Sequence, residues 1–210
     1  MRKPTQYRRE LKDKIVECAA NMFMGNGVRS VKMDDIANQL SISKRTLYEI
    51  YNNKEELLYA VVQERHKKED MEWKELGANS DNVMDILVGI LRMRMEQIKD
   101  ISPAFYHDLN NYPSVLALIS ERRKLRMQKS LKFLLRGRQE GFFLADVNYE
   151  FMGQIIDMVI YNTLIVNQKY IDVQEFVHIS VLLFIRSICT TKGLKVLDSF
   201  LKEMKGDAKS

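Results

Sequence analysis

Apolar residues recur along this chain at helical spacings of three and four, with almost no strand-like alternation. Leu11, Ile15, Cys18, Ala19, Met22 and Phe23 form the buried stripe of a helix expected from about Arg8 to Met24. Gly25, Asn26 and Gly27 close it, being residues that tolerate positive φ. A second helix, from about Met33 to Leu40, collects Ile36, Ala37 and Leu40 on one face. Ser41, Ile42 and Ser43 end it, because small hydroxyl residues favour turns and caps over helix interiors. With Ser43 as cap, a third helix runs from Lys44 to Tyr51. It gathers Leu47, Ile50 and Tyr51 on one side and Arg45, Tyr48 and Glu49 on the other, with Lys44 on the flank. The three helices make one small bundle whose third member must bury its apolar side and turn a cationic, aromatic side outward.

Asn53 and Glu56 have capping-box spacing and open a long helix to about Leu76. It is apolar through Leu57, Leu58, Val61 and Val62, then highly charged from Glu64 to Glu75, as befits a connecting rod. Further helices are expected over 82–100, over 103–110 with Ser102 as cap, and over 114–140 after Pro113. Another follows from Asn148 to about Lys169, and Asp172 with Glu175 opens one to about Thr191. A short final helix spans about 193–205. The 148–169 and 172–191 helices are apolar on more than one side and need cover all round. A second copy of the chain, forming a four-helix bundle, would supply it; a helix pair internal to a monomer is the alternative.

Composition fits a globular chain: 210 residues, 46% hydrophobic and 29% charged. The net charge of +5 is modest, but its location is informative. Residues 1–54 carry eleven Lys and Arg against six acids, whereas the rest carries twenty-two of each. All the excess positive charge therefore lies with the helix-turn-helix pattern, the electrostatic footprint of a DNA-binding module beside a neutral partner domain. A two-turn helix anchored by its apolar face can place N-terminal Lys, Arg, Thr and Tyr side chains in a major groove. The stripe Arg122, Arg126, Lys129 and Arg136 in the neutral part reads instead as a solvated face paired with acids.

Other chemistries lack residues at the required spacing. Cys18 and Cys189 are far apart, with no zinc-type cluster, and read as buried side chains in a reducing cytosol. His66, His107 and His178 have no metal-ligand spacing, and no nucleophile motif or Gly-rich phosphate loop is present. No metal, cofactor or catalytic role is expected. The first residues lack the apolar core of a signal peptide, and no uninterrupted apolar run reaches membrane length, so the expected location is the cytoplasm without membrane contact.

Gly27, then Asp35, Ile36 and Ala37, then SKRTLYEIYNNKEELL from Ser43 to Leu58, resemble the TetR family of bacterial transcriptional regulators. EGFFLADVN from Glu140 to Asn148 is a weaker echo of the turn that often precedes the family's eighth helix. The resemblance implies nine or ten helices: a DNA-binding domain in 1–53, a connecting helix and linker in 54–80, and an effector-binding and dimerisation domain in 81–210. It implies that Lys44, Arg45, Thr46 and Tyr48 face an operator, that Lys54 meets a phosphate, and that Leu47 is core. Ser43 and Lys32 complete the expected DNA-binding set. In three places the chain departs from the family pattern. Lys32 stands where Thr often caps the second helix, Arg45 where a small residue is frequent, and Ile50 where an aromatic or His often reaches the backbone.

The expected function is a ligand-responsive regulator: a homodimeric repressor that binds a palindromic operator and is released by an unidentified small molecule of hydrophobic or cationic character. Met93, Tyr106, Tyr112, Met127, Met158 and Tyr161 are candidates to line its effector pocket. The competing reading is a helical small-molecule-binding protein or enzyme without sequence-specific DNA binding.

Overall fold

The computed structural model describes residues 6–98, 101–161 and 173–207. Ten helices appear among them: α1 (Gln6–Asn26), α2 (Met33–Gln39), α3 (Lys44–Tyr48), α4 (Lys54–Ala78), α5 (Val83–Ile98), α6 (Pro103–Leu109), α7 (Pro113–Gln139), α8 (Tyr149–Tyr161), α9 (Val173–Ile188) and α10 (Thr191–Asp207). The all-helical expectation holds; among the described residues the only β-type pairing is an isolated bridge between Phe143 and Cys189. No described helix is long and apolar enough to cross a membrane. The expected stretch 162–172, including the Asp172 cap, lies outside the described residues.

The chain packs as two compact units, one of residues 1–70 and 100–122, the other of residues 71–99 and 123–210. The first unit takes in more than the three N-terminal helices, since α6 and the start of α7 share its core. Ile15, Ala19 and Phe23 from α1, Ile36 and Ala37 from α2, Leu47 from α3, and Leu57 and Leu58 from α4 are fully buried there, and Phe105, Leu109 and Val115 join them. Hydrogen bonds secure these later pieces: the Ser102 N–H donates to the Met24 carbonyl at 2.7 Å, and the Ser114 N–H and hydroxyl donate to Glu55 Oε1 at 3.1 and 2.6 Å.

In the second unit the core is built from Val83, Met84, Leu87 and Leu91 of α5, Leu134 of α7, Phe142, Phe143 and Tyr149, Ile185, Ile188 and Cys189, and Leu197 and Phe200 of α10. The turn before α8 is stitched to the α9–α10 junction, with the Leu144 N–H on the Ile188 carbonyl at 2.8 Å and the Thr190 N–H on the Phe142 carbonyl at 2.9 Å. Burial pushes the Cys189 thiol up to about 11, so it behaves as the apolar filler that its sequence context implies.

Of the caps expected at Asn53, Ser102 and Asn148, the first two differ in detail. Asn53 does cap α4, its Oδ1 accepting the Glu56 N–H at 2.8 Å, but the Glu56 carboxylate reaches back to the Asn52 N–H at 2.8 Å, one residue earlier than a capping box requires. Ser102 stands at the N-cap of α6 without a side-chain cap bond, its hydroxyl buried and unpartnered. Asn148 caps α8 as expected, accepting the Phe151 N–H at 3.0 Å.

Candidate nucleic-acid interface

The α2–α3 pair owes its geometry to a turn that sequence alone only outlines. Ser41 takes a left-handed conformation, φ 52°, and the Ile42 N–H closes onto the Ala37 carbonyl at 3.0 Å. Ser43 then caps α3 with its hydroxyl accepting the Thr46 N–H at 3.0 Å. Leu47 is fully buried beneath, so α3 is held by its apolar side and presents the other. α3 is shorter than the expected Lys44–Tyr51 helix: regular structure ends at Tyr48, and the Ile50 and Tyr51 N–H groups fold back onto the Leu47 carbonyl at 3.1 and 3.0 Å. That last turn drives the Tyr51 ring into the core while leaving Glu49 outside.

The expected DNA-facing residues are placed as follows. Lys44, Arg45 and Tyr48 project to solvent from α3, and Thr46 is half-buried with its hydroxyl 2.8 Å from that of Ser43. Lys32 precedes α2 with its side chain exposed. Lysine has no acceptor with which to cap, and the Asp35 carboxylate serves instead, receiving the Lys32 N–H at 2.8 Å. Lys54 behaves differently: it is half-buried, and its ammonium donates to the Val28 carbonyl at 3.0 Å, with the Arg29 carbonyl at 3.5 Å. Burial lowers its pKa, opposed by the nearby charges of Asp108 and Asp35. Lys54 thus ties the start of α4 to the α1–α2 loop.

Several residues that matter here were not singled out from the sequence. Asp34, in the first turn of α2, forms an ion pair with Lys44 across the two helices. Glu49 accepts from Arg45 Nε at 2.9 Å. Arg8 of α1 donates to the Glu49 carbonyl at 3.2 Å and pins the end of α3. The Arg45–Glu49 spacing of four was legible in sequence; the other two contacts depend on tertiary placement. Asp108 of α6, buried, accepts the Arg29 N–H at 2.7 Å.

Tyr51 carries a hydroxyl that is buried without a partner, beneath Lys12, whose ammonium lies 5.4 Å from the ring centroid. Burial, with the charges of Glu56, Asp13 and Glu64, pushes its pKa up to about 12 from 10.0. Below pH 10 the phenol is neutral in both folded and unfolded chains; as pH rises from 10 towards 12 only the unfolded chain ionises it, so stability is lost over that window. Tyr51→Phe should add about 1 kcal/mol at neutral pH by removing an unpaired polar group. The gap over the unaltered protein should widen between about pH 8 and about pH 11 in denaturant titrations, and a constant gap would count against the burial of the hydroxyl.

The candidate effector residues divide between the units. Tyr106 and Tyr112 pack, half-buried, against the first core. Met93 and Met127 are half-buried on α5 and α7, Met158 is largely exposed on α8, and the Tyr161 side chain lies outside the described residues. Among the described residues no group of three His, Cys, Asp or Glu side chains is placed to hold a metal. Within the stripe on α7, Arg122 pairs with Asp70, and Arg136 with Glu140 at 2.6 Å.

Comparison with known proteins bears on this geometry. Residues 15–61 match the family model described as bacterial regulatory proteins, tetR family, a span that covers the end of α1, all of α2 and α3, and the start of α4. Solved structures share the fold over most of the chain. A TetR-family transcriptional regulator from Marinobacter aquaeolei VT8 superposes with a TM-score of 0.70 at 20% identity, covering 91% of this chain and 97% of that one. A TetR-family transcriptional regulator from Agrobacterium tumefaciens has a TM-score of 0.68 at 14% identity, covering 87% and 99%. A transcriptional regulator from Saccharomonospora viridis, solved in complex with choline, has a TM-score of 0.63 at 16% identity, covering 87% and 99%. No curated protein sequence matches significantly.

Proposed function

We propose, from the premise that this chain is a DNA-binding regulator of the TetR family, that it acts as a homodimeric repressor whose two α3 helices enter successive major grooves of a palindromic operator. The observation that carries this reading is the arrangement of α3: Leu47 is fully buried while Lys44, Arg45 and Tyr48 face solvent, in the part of the chain that holds all the excess positive charge. Arg45 and Tyr48 would reach base edges, and Lys44 and Thr46 would sit at the groove's rim. Lys32 would hold phosphate for register, with Ser43 keeping the N-terminus of α3 open towards the backbone. Lys54 would add a phosphate contact through whatever donor its loop carbonyls leave free.

Dimerisation would use α8 and α9. Phe151 and Met158 of α8 and Ile179 and Leu183 of α9 are exposed large apolar side chains, costly to leave in water and natural for a two-fold helix bundle. A hydrophobic or cationic small molecule would bind one conformer of the dimer in preference to another and change the separation of the two α3 helices. The choline bound to one protein of this fold fits a cationic effector.

Selection of bound duplexes from a random pool, followed by affinity measured across a salt series, tests the reading. A palindromic consensus is expected, with log K falling against log salt by about 0.9 per phosphate neutralised. Arg45→Ala should relax preference at one base pair by about 1–3 kcal/mol, whereas Lys54→Ala should weaken all sequences alike and also lower stability, because the Val28 and Arg29 carbonyls lose their donor. Recovery of no consensus would refute the proposal.

A further inference from the structure

Two of the cations on the DNA-facing side of α3 are already neutralised within the protein. Lys44 pairs with Asp34, and Arg45 pairs with Glu49 through Nε. Both pairs are open to water; the Arg45 side chain is 88% exposed and that of Lys44 62%. Exposed ion pairs contribute little to stability, here as at Lys67–Glu64 and Arg186–Asp198, so what sets these two apart is the cations they engage. The Glu49 backbone is fixed beside Arg45: its N–H donates to the Arg45 carbonyl at 2.9 Å, and its own carbonyl accepts from Arg8 at 3.2 Å. Asp34 is anchored in the first turn of α2, where an acid suits the helix dipole.

Non-specific DNA binding is driven by cations that displace condensed counterions from phosphate, whatever the sequence. A cation that must leave a carboxylate partner to meet a phosphate gains less than one with no partner to leave. The Arg45 pair leaves a further possibility open. With Nε on Glu49, the two terminal nitrogens of the guanidinium form the fork that matches guanine O6 and N7, so a base contact can be made without breaking the pair.

Resting on the DNA-binding reading above, we propose that Asp34 and Glu49 are positioning residues that set sequence specificity: they hold the Lys44 and Arg45 side chains and deny them to random phosphates, so that affinity is spent on the operator. The carboxylates suppress binding to arbitrary DNA more than binding to the operator.

The test uses the full-length protein and its Asp34→Asn and Glu49→Gln variants, each titrated with the selected operator duplex and with a mixed-sequence duplex of equal length across a salt series. Each variant should bind mixed-sequence DNA about three- to tenfold more tightly, with a salt slope steeper by about 0.9, the value for one more phosphate neutralised. Operator affinity should change less than about twofold, so the specificity ratio falls. In an Arg45→Ala background, Glu49→Gln should leave that ratio unchanged, a result that a merely structural role would not give. Equal gains on both duplexes, no gain on either, or a ratio that still shifts without Arg45 would overturn the assignment. If the unaltered protein itself prefers no sequence, the DNA-binding reading fails first, and that outcome is visible before any variant is made.

Discussion

Gly27→Ala is expected to cost about 3 kcal/mol of stability and to weaken DNA binding with it. Gly27 sits at φ 82°, where a residue with a Cβ pays about 1–2 kcal/mol. Its position adds a steric charge: a Cβ there would lie 2.9 Å from Ala104 Cβ and 3.1 Å from Asp108 Oδ2, with α6 packed against the loop. Overpacking of that kind typically costs about 1–3 kcal/mol more. The damage would spread through defined contacts, because the same loop offers the Arg29 N–H to Asp108 at 2.7 Å and the Val28 carbonyl to Lys54 at 3.0 Å. Urea titration followed by helical circular dichroism reads the first effect, and operator affinity reads the second. A variant within about 0.5 kcal/mol of the parent, the range of an ordinary surface change, would show that neither the left-handed turn nor the close approach of α6 exists.

That glycine was legible in sequence as a helix stop, and its neighbourhood shows where legibility ended. Period and capping chemistry placed α1 to α4 within a few residues, because Ile15, Ala19, Phe23, Ile36 and Leu47 each had to find a core and only one face of each helix could supply it. The outward side of α3 followed from the same phase. What periodicity lacks is the partner across space. The pairing of Lys44 with Asp34 and the turning of Lys54 onto the Val28 carbonyl depend on how one helix is set against another. The inclusion of residues 100–122 in the first unit rests on contacts as distant in sequence as Ser102 to Met24 and Ser114 to Glu55. The shortening of α3 at Tyr48 was hidden for another reason. Glu49, Ile50 and Tyr51 have helical phase, but burial of the Tyr51 ring is reached through a tighter final turn.

Gly137 gives the sharpest contrast between local and tertiary reasoning. By helix propensity alone, Gly→Ala inside α7 should stabilise by up to about 1 kcal/mol. Gly77, exposed near the end of α4 with nothing within 4 Å of where an alanine methyl would sit, should follow that rule. At Gly137 the sign should reverse, since a Cβ would lie 2.1 Å from Cδ2 and 2.3 Å from Cε2 of Phe143. That ring cannot retreat cheaply: it is 2% exposed, and Phe133 lies against it with centroids 6.1 Å apart. Its backbone is held too, the Phe143 N–H donating to the Gly137 carbonyl at 3.2 Å. Gly137→Ala should therefore lose about 3 kcal/mol from the second unit, the upper range for overpacking a filled core. Phe143→Leu placed in the Gly137→Ala background should recover part of it, although the same change made alone is destabilising. Denaturant titrations of these variants decide the matter: if Gly137→Ala and Gly77→Ala both stabilise, the ring is not where α7 requires it, and the seam that joins the turn before α8 to α7 must be drawn differently.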